Sequence, residues 1–189
     1  MIDILTPIIH QIDAVRQCGG TVLVAIEGRC ASGKSTLAAR LSEHYDCPVI
    51  HMDEFFLRPE QRTQERYATP GENIDHERFL EEVLLPLRRG QSVAYHPFDC
   101  QIQQLSPAVT LPAAPLYFIE GSYSCHPALR AHYDLRLFLT VEPEEQLRRI
   151  TRRNGPDYAQ VFRNRWIPLE EAYFSACDVE SCCDSVYFT

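Results

Sequence analysis

Short apolar runs alternate with segments of helical periodicity along this chain. The runs predict five buried strands, which lie at residues 22–26, 48–52, 116–119, 135–141 and 185–188. Apolar residues three and four positions apart predict helices between them, at residues 3–17, 35–41, 76–89 and 143–153 and in two pieces split at Pro168. Strands that alternate with helices are typical of a parallel sheet. The pattern therefore predicts one three-layer α/β domain over residues 1–189, with a five-stranded parallel sheet and helices on both faces.

Two stretches between these elements lack a clear period. Residues 55–75 are polar, aromatic and punctuated by proline, and we expect a loop or lid over a site there. The helix that follows has Asp75 well placed as its N-cap. Residues 92–110 contain prolines that limit any strand, so we expect at most a short edge hairpin near residues 93–95.

The strongest chemical signal is a phosphate-binding loop, the P-loop, at residues 28–35. Its sequence Gly-Arg-Cys-Ala-Ser-Gly-Lys-Ser matches G-x-x-x-x-G-K-[ST], and Lys34 is the only lysine in the chain. A compact ammonium can reach the β- and γ-phosphates while backbone N–H groups surround them. The motif follows a predicted strand and opens a predicted helix, which favours a P-loop NTPase fold. The predicted nucleotide-binding residues are Gly28, Arg29, Cys30, Ala31, Ser32, Gly33, Lys34, Ser35 and Thr36.

Carboxylates follow two further predicted strands. Asp53 comes after the second strand and Glu120 after the third. Ligands of parallel sheets bind beyond the carboxyl ends of the strands, where both carboxylates are expected to meet the P-loop. With the Ser35 hydroxyl they offer the hard oxygen ligands that Mg²⁺ prefers, and one carboxylate can accept the proton of an attacking hydroxyl. A helix or turn cap at Asp53 and a simple turn at Glu120 are the alternatives.

Four arginines, at positions 148, 149, 152 and 153, end the helix predicted over residues 143–153. Glutamates four residues earlier can pair with Arg148 and Arg149, so a solvated charged face would explain the cluster. Alternatively, a short lid at residues 148–157 brings an arginine to the transferring phosphate and stabilises its charge. Arg149 and Arg152 are the best candidates for that role, and the sequence leaves open which of them performs it.

Charge and hydropathy narrow the class of partner. The formal net charge of -8 argues against general binding of nucleic acid or of an anionic membrane. No apolar stretch approaches the length of about 18 residues that marks a transmembrane helix, and the N-terminus lacks the pattern of an export signal. We therefore expect a cytoplasmic protein whose partner is a small molecule. The oligomeric state is left open, a homo-oligomer included.

Eight cysteines are scattered without a C-x-x-C pair, at positions 18, 30, 47, 100, 125, 177, 182 and 183. This spacing indicates neither a metal site nor a disulfide framework, and we expect mostly buried, inert thiols. Cys30 is the one candidate for reactivity, because the N-terminus of a helix favours a thiolate.

Ordered segments through most of the chain resemble the uridine kinase and phosphoribulokinase group of P-loop kinases. They are the P-loop, Asp53 with the two phenylalanines at 55 and 56, Ile119-Glu120-Gly121, the arginines at 148–152, Trp166 and Tyr173-Phe174. The resemblance implies that Asp53 acts as general base toward an acceptor hydroxyl and that Glu120 helps to hold magnesium. It also implies that Asp75 hydrogen-bonds an acceptor ribose, a role about as well founded as that of N-cap.

The chain departs from this group where the base would be recognised. Uridine kinases carry a Tyr-Asp-Phe segment followed by a histidine that reads the pyrimidine. The matching residues here are Phe98-Asp99-Cys100, with Gln103 at the position of the histidine. We therefore predict that Phe98 and Gln103 contact the acceptor, but the sequence does not identify the acceptor. The lid at residues 148–157 is also shorter than that of the group.

Two hypotheses from different classes follow. The first is an ATP- and Mg²⁺-dependent kinase that transfers the γ-phosphate to a hydroxyl of a small nucleoside-like or sugar-like metabolite, with residues 55–75 on the acceptor side; ATP rather than GTP rests on the resemblance. The second is a P-loop protein that binds nucleotide as a sensor or partner-binding module with little turnover. Asp53 distinguishes the two, because a binding module has no use for a base beyond the γ-phosphate.

Overall fold

A computed structural model describes residues 4–189, so Asp3, in the first predicted helix, lies outside the described residues. The strands, numbered along the chain, are β1 (Val22–Gly28), β2 (Val49–His51), β3 (Val93–Tyr95), β4 (Phe98–Asp99), β5 (Gln104–Leu105), β6 (Val109–Leu111), β7 (Leu116–Glu120), β8 (Leu135–Thr140) and β9 (Ser185–Phe188). Five of them form a central sheet of order β2-β7-β1-β8-β9, in which every neighbouring pair is parallel. The predicted five-stranded parallel sheet is confirmed.

Helices cover both faces of this sheet. They are α1 (Leu5–Arg16), α2 (Lys34–Tyr45), α3 (Gln64–Ala68), α4 (His76–Phe79), α5 (Leu85–Arg88), α6 (Pro143–Asn154), α7 (Pro156–Val161), α8 (Ile167–Ala176) and α9 (Val179–Cys182). Residues of β1 alternate between the two faces: Val24 packs with apolar residues of α1 and α2, and Leu23 packs with those of α4, α5 and α8. The three-layer α/β fold predicted from periodicity is therefore confirmed.

Two small antiparallel pairs lie outside the central sheet, where the chain passes from α5 to β7. Strand β3 pairs with β6, and β4 pairs with β5 inside that connection. The expected hairpin near residues 93–95 is present, and the β4–β5 hairpin is an addition to it. Residues 55–75 are partly ordered into a 3₁₀ turn at Pro59–Gln61 and the short helix α3. This segment is therefore more regular than a loop.

Two π-turns widen the helices on one face of the sheet. They span Leu80–Leu84, between α4 and α5, and Phe162–Trp166, between α7 and α8. The residue after each turn donates its backbone N–H to a carbonyl five residues back, and a proline, Pro86 or Pro168, comes next. The wider turn accommodates a ring that clashes with the carbonyl four residues back in an α-helix. The prediction of two pieces split at Pro168 is therefore wrong, since the helical run is continuous.

No helix within residues 4–189 combines the length and the apolar character needed to cross a membrane.

Candidate active site

The carboxyl ends of β1, β2 and β7 open onto one cleft with a volume of about 2010 Å³. The predicted site residues that line it are Cys30, Ala31, Ser32, Gly33, Lys34, Ser35, Thr36, Asp53, Phe98, Gln103, Glu120, Arg149 and Arg152. Gly28, Arg29 and Asp75 lie behind its walls. The fold therefore brings most of the predicted residues together, although they come from five separate parts of the chain.

The P-loop turns sharply at two glycines. Gly28 has a φ of 136°, and a Cβ there would lie 2.0 Å from the carbonyl oxygen of Leu139 in β8, so only glycine fits. Gly33, with a φ of 95°, precedes the first residue of α2. The Lys34 ammonium donates to the carbonyl oxygens of Gly28 at 2.7 Å and Arg29 at 2.9 Å. These contacts hold the only lysine of the chain against the loop that it is predicted to serve.

Helix α8 is hydrogen-bonded to the P-loop through two glutamates that were not predicted from the sequence. Glu170 accepts hydrogen bonds from the Cys30 backbone N–H at 3.0 Å and from the Ser122 hydroxyl at 2.7 Å. Glu171 accepts two from the Arg29 guanidinium, at 2.7 and 3.0 Å. The Arg29 side chain therefore faces α8 and braces the loop. No local pattern could reveal Glu170, because 140 positions separate it from Cys30.

Cys30 is not the reactive thiol that its position suggests. Burial, and then the charge of nearby Glu170, raises the pKa of the Cys30 thiol far above its usual range. The Gln146 amide donates to the carbonyl oxygen of Cys30 at 3.0 Å and to its sulfur at 3.2 Å. Desolvation outweighs the effect of the helix N-terminus, so Cys30 is not the exception to the inert thiols that its position allowed. All eight cysteines are free thiols, as expected, but only Cys30, Cys47 and Cys125 are buried, so the expectation that most of them are buried is wrong.

Glu120, the last residue of β7, connects the sheet to the P-loop. One carboxylate oxygen accepts from the Ser35 hydroxyl at 3.2 Å, and the other lies 2.5 Å from Nδ1 of His51. This hydrogen bond raises the pKa of His51 above its ordinary value. His51 was missed because its partner depends on the β2–β7 register, which sets it opposite Glu120. Together with Asp53, these hydroxyl and carboxylate oxygens form a donor set that suits Mg²⁺.

Asp53 lies in a single 3₁₀ turn directly after β2, and its side chain is exposed to the cleft. Desolvation by the cleft walls raises the pKa of Asp53 above its ordinary value; the Lys34 charge opposes the rise, and the Glu120 and Glu170 charges add to it. His51, and not Asp53, is the N-cap of the turn. A cleft-facing carboxylate with a raised pKa is typical of a general base.

The arginine cluster divides between the two roles that the sequence allowed. Arg149 reaches the P-loop, donating to the carbonyl oxygen of Ala31 at 3.3 Å and to Glu145 at 2.7 Å. Arg152 also lines the cleft. Arg148 is 72% exposed, as expected of a solvated helix face, but it donates to Glu145 at 2.6 Å and not to Glu144, the glutamate four residues earlier. Arg153 lines the cleft as well, so three of the four arginines lie there, including the two selected from the sequence.

Asp75 occupies the N-cap of α4. Its carboxylate accepts the backbone N–H of Arg78 at 3.3 Å, and the side chain is buried between the guanidinium groups of Arg78 and Arg58. The structure therefore shows Asp75 as the N-cap of α4. Its other suggested role, hydrogen bonding to an acceptor ribose, stays a prediction.

The remaining predicted acceptor residues lie on the β4–β5 hairpin. Phe98 is buried in the cleft wall. Gln103 adopts a left-handed backbone with a φ of 57°, and its side-chain amide donates to the carbonyl of Cys100 within the same turn. Gln103 therefore lines the cleft while its amide is engaged by its own hairpin.

Two arginines at this end of the cleft were not predicted. The guanidinium carbon of Arg62 lies 5.6 Å from the centre of the Phe98 ring, and that of Arg165 lies 4.6 Å from the Trp166 ring. Trp166 carried part of the sequence resemblance, so its neighbour could have been noticed. That Arg165 lines the cleft depends on the three-dimensional path of the α7–α8 run, which the sequence did not reveal.

Glu27 is fully buried at the end of β1 and joins three elements of the site. It accepts the backbone N–H groups of Gly28, Tyr123 and Cys125 at 3.0, 3.1 and 2.8 Å, and the Tyr173 hydroxyl at 3.1 Å. Burial raises the pKa of Glu27 to about 7, although these donors oppose the rise. The residue therefore ties the P-loop to the loop after β7 and to α8.

Glu72, His76 and His126 form a cluster beside the acceptor-side segment. The two imidazole rings stack with centroids 4.1 Å apart, and burial lowers the pKa of His126 to about 4. Nδ1 of His126 accepts the backbone N–H of Ala128, so the proton of this neutral ring is on Nε2, which faces Glu72. Nε2 of His76 and Nε2 of His126 lie 3.2 and 3.7 Å from the same oxygen of Glu72, so loss of the Nε2 protons would leave three ligand atoms close enough to hold a metal ion.

No protein-family model and no curated protein sequence matches the chain. Its fold matches solved structures. A possible uridine kinase from Bacillus stearothermophilus has a TM-score of 0.68 at 20% identity, over 96% of this chain and 99% of that one. D-glycerate 3-kinase from Cryptococcus neoformans var. grubii has a TM-score of 0.60 at 14% identity, over 90% and 88%. TT1252 from Thermus thermophilus has a TM-score of 0.52 at 17% identity, over 90% and 89%.

At these identities the similarity shows the fold alone. It confirms the three-layer α/β fold that the sequence predicts, which this chain shares with the two kinases.

Proposed function

We propose that this protein is an ATP- and Mg²⁺-dependent phosphotransferase that moves the γ-phosphate to a hydroxyl of a small nucleoside-like or sugar-like metabolite. One observation carries the proposal: Lys34, Ser35, Asp53 and Glu120 meet in one cleft from three separate strand ends. A P-loop alone would serve any nucleotide-binding protein, whereas a carboxylate facing the same cleft supplies a proton acceptor. The small-molecule kinase fold supports the same class of reaction.

The P-loop and the residues around it would bind the nucleotide. Backbone N–H groups of residues 28–36 hold the triphosphate, and Lys34 neutralises charge on the β- and γ-phosphates. Ser35, Glu120 and Asp53 would hold Mg²⁺, which would neutralise negative charge on the phosphates.

Asp53 would act on the acceptor. It accepts the proton of the acceptor hydroxyl as that oxygen bonds to the γ-phosphorus and the bond between the γ-phosphorus and the bridging oxygen breaks. Arg149 or Arg152 stabilises the charge on the transferring group. The products are ADP and a phosphate monoester, and the proton passes from Asp53 to water.

The acidity of the chain supports a small-molecule acceptor in preference to nucleic acid or a membrane surface, since the net charge is -8. A cytoplasmic location and the option of a homo-oligomer stay predictions.

The proposal is tested by measuring ADP release from Mg–ATP with a panel of nucleosides, sugars and vitamins. Under the kinase hypothesis at least one acceptor gives release well above the rate in its absence. Tight ATP binding without acceptor-dependent release across the panel would favour the sensor hypothesis instead.

Asp53→Asn then tests the assigned base. We expect ATP binding to be largely retained and kcat to fall by on the order of 10²–10⁴, the usual contribution of a positioned acid or base. Glu60→Gln, an acidic residue of the acceptor-side segment that is 64% exposed, is the matched control and should keep full activity. Lost ATP affinity with an unchanged kcat would make Asp53 mainly a magnesium-site residue, and unchanged kinetics would remove it from the mechanism.

A further inference from the structure

The cleft is rich in cations, although the chain as a whole is acidic. Seven cationic and six acidic side chains line it, in a protein whose formal net charge is -8. Within residues 4–189, five of the cleft arginines form no ion pair with a carboxylate, namely Arg40, Arg62, Arg152, Arg153 and Arg165. The transferring phosphate requires some of this charge. Arg62 and Arg165 lie elsewhere, at the acceptor end.

The guanidinium groups of Arg62 and Arg165 lie beside aromatic rings and not beside carboxylates. Arg165 lies 4.6 Å from the Trp166 ring and 5.8 Å from the ring of Tyr67, which belongs to the acceptor-side segment. Arg62 donates through Nε to the carbonyl of Leu57 at 3.0 Å and lies 5.6 Å from the ring of Phe98. Contact with ring faces orients a guanidinium without neutralising its charge.

The acids at the acceptor end are engaged in other ways. One carboxylate oxygen of Asp99 accepts the backbone N–H groups of Gln101 and Ile102, at 2.7 and 3.3 Å, and so stabilises its own turn. Asp53 is assigned as the base. Because a guanidinium binds carboxylate and phosphate oxygens through paired, charge-assisted hydrogen bonds, two such groups that pair with no carboxylate among the described residues suit an anionic ligand.

We propose that Arg165 and Arg62 form a subsite for an anionic group of the acceptor, a carboxylate or a phosphate monoester, with the Tyr67, Phe98 and Trp166 rings as its walls. The proposal rests on the proposed function and narrows its acceptor to a hydroxylated molecule that carries an acidic group. Arg165 precedes Glu170, which contacts the P-loop, by five residues on the same helical run, and both side chains line the cleft. The proposed subsite and the nucleotide site are therefore parts of one cavity of about 2010 Å³.

Matched pairs of probes test the subsite. Binding is measured by calorimetry with the P-loop occupied by Mg²⁺ and a non-hydrolysable ATP analogue, so that anionic probes cannot enter it. The pairs are glycerol and D-glycerate, D-ribose and D-ribose 5-phosphate, and uridine and uridine 5′-monophosphate. We expect the anionic member of at least one pair to bind about ten- to a hundredfold more tightly. The glycerate arm identifies a carboxylate and the other two arms a phosphate ester.

Variants assign the preference to the arginines. Arg165→Gln should bring the anionic member down to the affinity of its neutral partner, and Arg165→Lys should restore part of the difference. Arg163→Gln removes a charge from the same π-turn at a residue outside the cleft and should change nothing. Arg62→Gln provides a second test should Arg165→Gln unfold.

The outcomes separate this proposal from the kinase proposal. Equal binding within every pair, or a preference that survives both glutamine variants, overturns the subsite. Phosphorylation of neutral and anionic acceptors with equal kcat/KM overturns it while leaving the kinase intact. A preference lost in Arg165→Gln without any phosphoryl transfer upholds the subsite and overturns the kinase.

Discussion

The two halves of the cleft are built in different ways. The nucleotide half consists of the P-loop and Glu120, and its central contacts are local: Lys34 donates to carbonyl oxygens five and six residues before it. The acceptor half consists of residues 55–75, the turn at residues 100–103 and Arg165-Trp166, and its contacts join segments far apart in the chain. The P-loop is one continuous segment and can be recognised from the sequence, whereas the contacts between distant segments that complete the acceptor half cannot.

The largest effect is expected in the nucleotide half. Lys34→Ala should lower phosphoryl transfer by more than about 10³-fold, because one donor to developing charge is worth 10²–10³ and the ammonium also neutralises the ground-state phosphates. Steady-state ADP release measures the effect, with circular dichroism as the check on folding. Lys34→Arg should be impaired as well, since a planar guanidinium cannot repeat both carbonyl contacts. A folded Lys34→Ala protein within tenfold of wild type would contradict the nucleotide half as described.

Glu27, which connects the P-loop to the loop after β7 and to α8, can be tested through the pH dependence of protein stability. Burial raises the pKa of Glu27 to about 7 from an ordinary 4.5, so between these values the folded state holds a proton that the unfolded state has released. Glu27 therefore makes its full contribution to the free energy of unfolding below pH 4.5. That contribution decreases by roughly 3 kcal/mol as the pH rises to 7.

Urea unfolding at several pH values measures this dependence. Glu27→Gln should lack it, whatever its absolute stability, and the exposed Glu60→Gln should keep the wild-type slope. Identical slopes in wild type and Glu27→Gln would show that Glu27 does not titrate in this range.

Arginine variants distinguish the residues that act on the transferring phosphate from those that lie on the solvent-exposed face of the helix. Arg152→Ala should lower kcat and kcat/KM together, by on the order of 10², because an interaction made only with the transferring group leaves ground-state binding alone. Arg149→Ala should do so if Arg149 is the residue in contact. Arg148→Ala, at a side chain that is 72% exposed, is the control and should stay near wild type. Unchanged rates in Arg149→Ala and Arg152→Ala would make the cluster a charged helix surface.

The smallest effect concerns the acceptor half. Uridine and cytidine should be poor substrates relative to the best acceptor in the panel, by about 10- to 100-fold in kcat/KM, since Gln103 gives its amide to its own turn and Phe98 has no hydroxyl. Competition between uridine and the best acceptor measures the ratio directly. Efficient phosphorylation of uridine, above roughly 10⁴ M⁻¹s⁻¹ and with no better acceptor, would refute the expected discrimination.

The same contrast explains what could be predicted from the sequence. The P-loop, the strands and the strand-end carboxylates follow from local periodicity and from the rule that parallel strands end at one edge. His51, Glu170 and Arg165 could not be found in this way, because strand register and the packing of a remote helix bring them to the site. The Cys30 thiol was misjudged because its burial comes from α6 and α8, which no nearby residue indicates.

The π-turn before Pro168 sets the direction in which the side chains of α7 point relative to those of α8. An α-helix advances about 100° per residue, and a π-turn takes up one extra residue without adding a turn. Phe162 and Glu170 would point about 80° apart in an unbroken α-helix, and only about 20° apart once the extra residue is absorbed. Both side chains line the cleft. Deleting one residue from this turn would therefore rotate α7, together with the arginines at the end of α6, about the helix axis relative to α8. The arginines would then no longer face the P-loop while Glu170 contacts it.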